Sequence, residues 1–448
     1  MKLNSGDKKK IIFIYPPSPA LETCRRVLQP TDLLSLAAIA ESCGFESKII
    51  DCRIEDLNSE KFSSEFKSSQ YLFVNITIEN FKFDMELTAK IKQQYPALTI
   101  IVKGMPFLTY NINAIYENPH ISYIILGEPE FTLKEILEGI PDNEILGICY
   151  SENMQGVKNE ARPLIENLDE LPLPARHLIE NKNYKTIIDI SRGCPCNCFS
   201  CPVTPYTGNK LRTRSVDNVI LEIKECIEKH HIKTFLLNSG VFSKDWLTEF
   251  CNKYIKTGIK NKWSINLIPK SIDEELVKLL KKSGCRVVNL EVESGSAEIL
   301  KNIGKDLTIA EIKKTVSILK KYHIKTNNRF ILGLPWETKK TIQESIDFAI
   351  ELDSDYVYFE FAKPYPGTKF FTYAMLNRLC PANLSFDKTL EQPLVRSHAL
   401  SIQEIFELRN KGLMKFFLRP KSIVRKLLNI RSFNELILFL KFIILKKR

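Results

Sequence analysis

The chain has no apolar run long enough to cross a membrane. Its most apolar stretch towards the end, Leu436 to Leu445, is ten residues interrupted by Lys441, against about 20 for a bilayer span. No secretory leader is expected either, because after Lys8-Lys9-Lys10 the apolar run Ile11 to Tyr15 is too short and breaks at Pro16-Pro17. The 12 cysteines are therefore expected as thiols in a reducing cytoplasm, not as disulfides. Also absent is a second C-x2-C or H-x3-H pair, which a closed structural zinc site usually requires.

What is present has the balance of a soluble globular protein, 44% apolar and 26% charged over 448 residues, long enough for two or three domains. The net charge of +11 is unevenly placed: from Lys415 to Arg448 ten basic residues stand against Glu435 alone. The excess belongs to a tail, so nucleic acid is not an expected partner.

Strand-like runs at Ile11 to Tyr15, Ser47 to Asp51, Tyr71 to Asn75, Leu98 to Lys103 and Tyr123 to Leu126 alternate with helical stretches at Asp32 to Ser42, Lys82 to Gln94 and Thr132 to Leu137. The alternation predicts an α/β, doubly wound (Rossmann-like) domain over residues 1–146, with a ligand crevice beyond the carboxyl ends of its strands. Pro16-Pro17 and Gly127-Glu128 fall at such ends. Prolines gather in 147–182, read as a linker. A second series occupies 183–375, with strands at Thr186 to Ile190, Thr234 to Asn238, Trp263 to Leu267, Arg286 to Glu291, Lys325 to Leu332 and Tyr356 to Phe361. Helices lie between them at Val216 to His230, capped by Ser215, at Asp273 to Ser283, and at Lys339 to Leu352. Six such units predict an incomplete (β/α)6, TIM-like barrel that does its chemistry at the carboxyl ends of its strands. Residues 376–448 read as a small helical region with a basic amphipathic tail.

Just beyond the first barrel strand, Ser191 to Cys201 carries Cys194, Cys198 and Cys201 in C-x3-C-x2-C spacing. Three thiolates on one short loop can hold three irons of a [4Fe-4S] cubane and leave the fourth open. A zinc site with Cys196 as fourth ligand is the rival, although residues 194, 196 and 198 are too close to wrap one tetrahedral metal easily. Idle thiols are the remaining reading. Cys24, Cys43, Cys52, Cys149, Cys226, Cys251, Cys285 and Cys380 are scattered and read as small apolar side chains.

With Phe199 two residues before its last cysteine, this loop resembles that of the radical S-adenosylmethionine superfamily. Arg212-Thr213-Arg214-Ser215, Gly284-Cys285, Glu293-Ser294-Gly295-Ser296, Gly333 to Thr338 and Pro364 to Thr368 are similar to the R-x-R-S, G-C, E-S-G-S, G-L-P-G-E-T and P-Y-P-G-T of one subgroup. That subgroup carries an amino-terminal cobalamin-binding domain. The first domain resembles it at Tyr15-Pro16-Pro17, at Lys103-Gly104-Met105-Pro106 and at Gly127-Glu128-Pro129-Glu130.

The resemblance implies an enzyme that cleaves S-adenosylmethionine reductively to a 5'-deoxyadenosyl radical and, with cobalamin, transfers a methyl group to an unactivated carbon. It implies metal ligation by Cys194, Cys198 and Cys201, and cofactor contacts from Phe199, Asn238, Ser239, Glu293, Ser294, Gly104 and Gly127. Asn238-Ser239-Gly240 replaces the family's acidic pair, which leaves the amino group of S-adenosylmethionine to Asn238 or Ser239. Glu293 reads either as a cofactor contact or as a structural partner of Arg214 or Arg329. There is no D-x-H-x-x-G, and Met105 and Phe107 stand in place of the family's glycine and histidine, so any cobalamin would be base-off without a histidine ligand.

Two other functions fit the residues: a radical enzyme without corrin, doing rearrangement, cyclisation or sulfur insertion, and a non-catalytic iron-sulfur protein for electron transfer or redox sensing. Expected partners are a small-molecule or lipid-like substrate and a reductase, flavodoxin or ferredoxin electron donor. Ser432-Phe433-Asn434-Glu435 reads as a capping box opening an apolar helix with basic flanks. Such a helix either packs on the barrel or makes peripheral membrane contact.

Overall fold

The computed structural model describes residues 9–17, 27–55, 60–108, 112–179, 184–382, 384–386 and 392–429. Five parallel strands begin the first sheet: β1 (Lys10–Tyr15), β2 (Glu46–Asp51), β3 (Tyr71–Ile76), β4 (Thr99–Gly104) and β5 (Tyr123–Ile125). These strands are apolar along their length because helices cover both faces. Ile11 and Phe13 enter one core cluster while Ile12 and Ile14 enter the other.

The sheet does not end at residue 146. Two antiparallel strands, β6 (Ile148–Glu152) and β7 (Gln155–Lys158), extend it to the order β2-β1-β3-β4-β5-β6-β7. The segment expected as a linker from 147 therefore starts inside the sheet. The turn between β6 and β7 is made by Asn153 and Met154, at φ 49° and 62°. No Asn-Gly or Asp-Gly pair marks this hairpin in the sequence.

The second sheet carries six parallel strands in the order β15-β14-β13-β12-β11-β8, and its edges β8 and β15 stay apart, as an open barrel requires. They are β8 (Thr186–Asp189), β11 (Thr234–Asn238), β12 (Lys262–Leu267), β13 (Cys285–Glu293), β14 (Lys325–Leu332) and β15 (Tyr356–Phe361). A short ribbon of β9 (Ser191–Arg192) and β10 (Arg212–Thr213) frames the cysteine loop. Outward residues such as Trp263, Ile265 and Leu267 pack under the helices.

The inward face is polar. Asp189, Asn238, Asn266, Asn289 and Asn327 lie on successive neighbouring strands, and each asparagine amide donates to the next side chain: Asn327 to Asn289 at 2.9 Å, Asn289 to Asn266 at 2.7 Å, Asn266 to Asn238 at 3.2 Å, Asn238 to Asp189 at 2.6 Å. Barrels of this type usually fill the same layers with branched apolar residues.

After the barrel, a helix at Ile402–Phe417 packs on the helix at Lys339–Glu351, where Gly412 permits close approach: a Cβ there would lie 2.8 Å from Ile346. The expected capping box at 432–435 and the apolar stretch to Leu445 lie outside the described residues. Among the described residues no helix is long and apolar enough to cross a membrane.

Candidate active site

The cysteine loop owes its path to two backbone positions. Gly193 sits at φ 79°, and a Cβ there would lie 2.1 Å from the Lys210 carbonyl oxygen, so only glycine fits. Asn197 takes φ 44°, a conformation asparagine tolerates better than most residues. Cys194 N–H donates to Gly208 O, and Thr204 Oγ1 to Cys194 O.

The loop faces an open pocket of about 640 Å³ at the carboxyl ends of the barrel strands, lined among others by Cys194, Cys198, Cys201, Ser239, Glu293 and Lys305. Cys194 is buried, Cys198 and Cys201 are half-buried, and Cys196, at the same pocket, is exposed. Burial pushes the Cys198 and Cys201 thiols up, and burial together with Cys194 pushes Cys196 up to about 11. Thiolates held this closely need positive charge from a metal centre to be stable. Among the described residues no three His, Cys, Asp or Glu side chains are placed to hold a single metal ion. A cubane seats each thiolate on a separate iron, which suits Cys194, Cys198 and Cys201 better than wrapping all four thiols of the pocket round one tetrahedral zinc.

Glu293 ends β13 at a bulge, with φ 69°, an uncommon conformation for a side chain of this size. Its partner is neither expected arginine. Arg214 is engaged by Asn218 and Glu222, and Arg329 lies 3.3 Å from Glu291. Instead Lys305 Nζ reaches Glu293 Oε1 at 2.5 Å and donates to Glu291 O at 3.0 Å. Burial works against the Lys305 charge, but Glu293 and Glu291 hold its pKa above the ordinary value. Lys305 was not singled out from sequence: it follows a short helix in Gly304-Lys305-Asp306, where no periodicity marks it.

Of the other expected cofactor residues, Ser239 lines the pocket, but its hydroxyl is engaged by Ser191 and by the N–H and carbonyl of Val241, and both ends of the Asn238 amide are held in the asparagine row. Phe199 does not line the pocket. Its ring packs among Trp336, Phe370 and Tyr373, at 4.7, 5.4 and 5.8 Å between centroids, while Ser200 faces the pocket. Ser294 is fully buried and bonds Ser345 Oγ at 3.0 Å, so it fastens the strand end to a helix and leaves the cofactor to its neighbours. The Glu337 carboxylate of Gly333 to Thr338 is buried under its own turn, accepting from the N–H groups of Gly333 at 2.5 Å and Leu334 at 2.9 Å.

A second crevice of about 270 Å³ opens between the strand ends of the first sheet and the barrel, lined by Asn75, Lys103, Gly127, Arg192 and Tyr206 among others. Gly127 takes φ 76° with open space around it. Gly104 does not line the crevice. It lies against β3, where a Cβ would sit 2.1 Å from Ile76 O. Met105 and Phe107 leave the crevice free: Met105 packs on the barrel core, and Phe107 is buried edge-on to Phe81. Polar contacts cross this boundary, Lys103 Nζ to Tyr206 Oη at 2.5 Å and Thr31 Oγ1 to Asp189 Oδ2 at 2.6 Å.

An open parallel barrel with a C-x3-C-x2-C loop at its active end defines a radical S-adenosylmethionine fold, and the family model described as the radical SAM superfamily matches residues 188–349. An uncharacterized methyltransferase of Pyrococcus horikoshii is 31% identical over 442 residues, covering 95% of this chain and 96% of its own length. The chain belongs to the radical S-adenosylmethionine superfamily and is an enzyme whose cofactors are a [4Fe-4S] cluster and S-adenosylmethionine. It is also similar to an anaerobic magnesium-protoporphyrin IX monomethyl ester cyclase of Cereibacter sphaeroides, 27% identical over 75% of this chain and 59% of that one. Among solved structures, the methyltransferase TsrM of Kitasatospora setae, with cobalamin and a [4Fe-4S] cluster bound, superposes at a TM-score of 0.68, 18% identity, over 83% of this chain and 75% of that chain. OxsB with aqua-cobalamin and S-adenosylmethionine bound superposes at 0.66, 16% identity, over 83% and 56%. At these identities the likeness establishes the two-domain fold.

Proposed function

We propose that the chain is a cobalamin-dependent radical methyltransferase acting on an unactivated carbon. The observation that carries this reading is the crevice: Asn75, Lys103 and Gly127 come from the ends of β3, β4 and the β5 turn, and Tyr206 and Arg192 face them from the cluster side. Ligands of doubly wound sheets bind at such strand ends. Glycine at φ 76° with open space above it leaves room for a bulky group against backbone. No histidine lines the crevice among the described residues, which suits a base-off corrin.

When bound, the cluster supplies one electron to the sulfonium of S-adenosylmethionine, and cobalamin carries the methyl group. Cys194, Cys198 and Cys201 would hold the cluster. Lys305 presents a cation for the carboxylate of S-adenosylmethionine. The pocket continues past Glu291, Arg329 and Glu360, which orient polar groups of a small-molecule or lipid-like substrate. Positioning there, with water excluded, is the protein's share of the catalysis. The electron comes from an external flavodoxin or ferredoxin.

A specific contact favours a second reading. Lys103 and Tyr206 bridge the crevice, and 270 Å³ is small even for a drug-sized ligand. Methyl transfer thus requires this bridge to part. Corrin content of the protein purified anaerobically from cobalamin-fed cells decides: roughly one corrin per chain supports methyl transfer, whereas none after desalting leaves a radical enzyme doing rearrangement, cyclisation or sulfur insertion.

A further inference from the structure

Gly127-Glu128-Pro129-Glu130 lines the crevice, and its two carboxylates pair there with arginines of the barrel. Glu128 is buried and receives Arg212 through two nitrogens, at 2.7 and 3.0 Å, with Arg192 at 3.4 Å. Glu130, also buried, receives Arg192 through two nitrogens, at 3.1 and 2.5 Å. Arg192 and Arg212 are paired across the β9–β10 ribbon, from which the cysteine loop departs. The remaining contacts lock the same joint: Arg212 donates to Ile165 O at 2.7 Å and Thr207 O at 2.8 Å, and Ile165 N–H donates to Glu128 at 2.8 Å.

Two-pronged arginine–carboxylate pairs fix orientation as well as charge. We propose that Glu128 and Glu130 of the first domain are positioning residues for the iron-sulfur loop: they anchor both strands of its ribbon and neutralise Arg192, two residues before the first cluster cysteine. The first domain thereby governs how firmly the cluster is held and how readily it is reduced. This rests on the superfamily assignment and not on cobalamin, so corrin-free protein serves equally well for the test.

The full-length protein is reconstituted anaerobically, and three quantities are read: iron per chain, the rate of iron loss to a strong chelator, and the cluster midpoint potential by redox titration. Glu130→Gln leaves Glu128 alone to balance Arg192 and Arg212, a net gain of one positive charge, and a cationic neighbour favours the reduced cluster, so the midpoint potential is expected to rise. Glu130→Gln combined with Arg192→Gln removes both charges and is expected to return the potential towards wild type while iron loss stays several-fold faster. Full iron with wild-type potential and wild-type iron loss in Glu130→Gln overturns the proposal. Where Glu130→Gln does not fold, Arg192→Lys decides, since it keeps the charge without the two-pronged geometry: iron loss several-fold faster at unchanged potential supports the proposal, and wild-type retention overturns it.

Discussion

Replacing Lys305 by methionine tests the cofactor end of the pocket, because it keeps the length of the apolar stem and removes the ammonium. Glu293, 17% exposed, then lacks the cation that stood 2.5 Å away, and the Glu291 carbonyl lacks its donor. Breaking a fully buried pair costs about 3–5 kcal/mol. Glu293 retains some contact with water, so about 2 kcal/mol is expected for the barrel. For a unit of this size that lowers the melting temperature by roughly 4–8 °C. The same loss of charge weakens S-adenosylmethionine binding by roughly 30-fold at unchanged iron content, since about 1.4 kcal/mol is tenfold. Thermal melts of the apoprotein and equilibrium dialysis against S-adenosylmethionine measure the two effects. The Lys305→Met, Glu293→Gln double variant should be more stable than Lys305→Met alone, because the stranded charge is gone. If Lys305→Met melts and binds as wild type does, the pair is idle and the assignment of Lys305 fails.

Alanine at Cys194, Cys198 or Cys201 is expected to abolish the brown chromophore of reconstituted protein, while Cys196→Ala keeps it; the reverse pattern would redraw the ligand set. Gly104→Ala forces a Cβ against the Ile76 carbonyl at 2.1 Å and should cost about 3 kcal/mol, read from the urea midpoint. Burial pushes Glu337 up to about 7 from 4.5. A raised acid contributes stability fully present below pH 4.5 and lost as pH rises through 7, so Glu337→Gln should flatten the change in melting temperature between pH 5 and pH 8. An unaltered pH slope in that variant would refute it.

The order of the elements was legible because both parallel sheets advertise themselves as short apolar runs between amphipathic helices. Thr234–Asn238, Lys325–Leu332 and Tyr356–Phe361 begin and end where the periodicity says. β6 and β7 were not legible, since an edge hairpin with one exposed face lacks a continuous apolar run and Asn153-Met154 is not a standard turn pair. The cysteine loop and its place at the pocket could be read from spacing alone, as its thiols share one short segment after a strand. Lys305 could not, because its meaning comes from Glu293 twelve residues earlier, brought alongside by a bulge with left-handed backbone. Phe199 and Ser294 were misplaced for the opposite reason: adjacency to a functional residue says nothing about which way a side chain turns.

The asparagine row across the barrel carries a consequence for how the strands find their partners. Parallel strands with similar apolar outer faces can slide by two residues without turning any side chain to the wrong side. Here a slip of two would pull one half-buried amide out of the row and break its hydrogen bonds to its neighbours, at about 0.5–1.5 kcal/mol for each bond. The amides also share one polarity, set by the Asp189 carboxylate at the end of the row, which in turn accepts Thr31 of the first domain. The row thus acts as a combination lock on strand register, and its last tumbler belongs to the other domain.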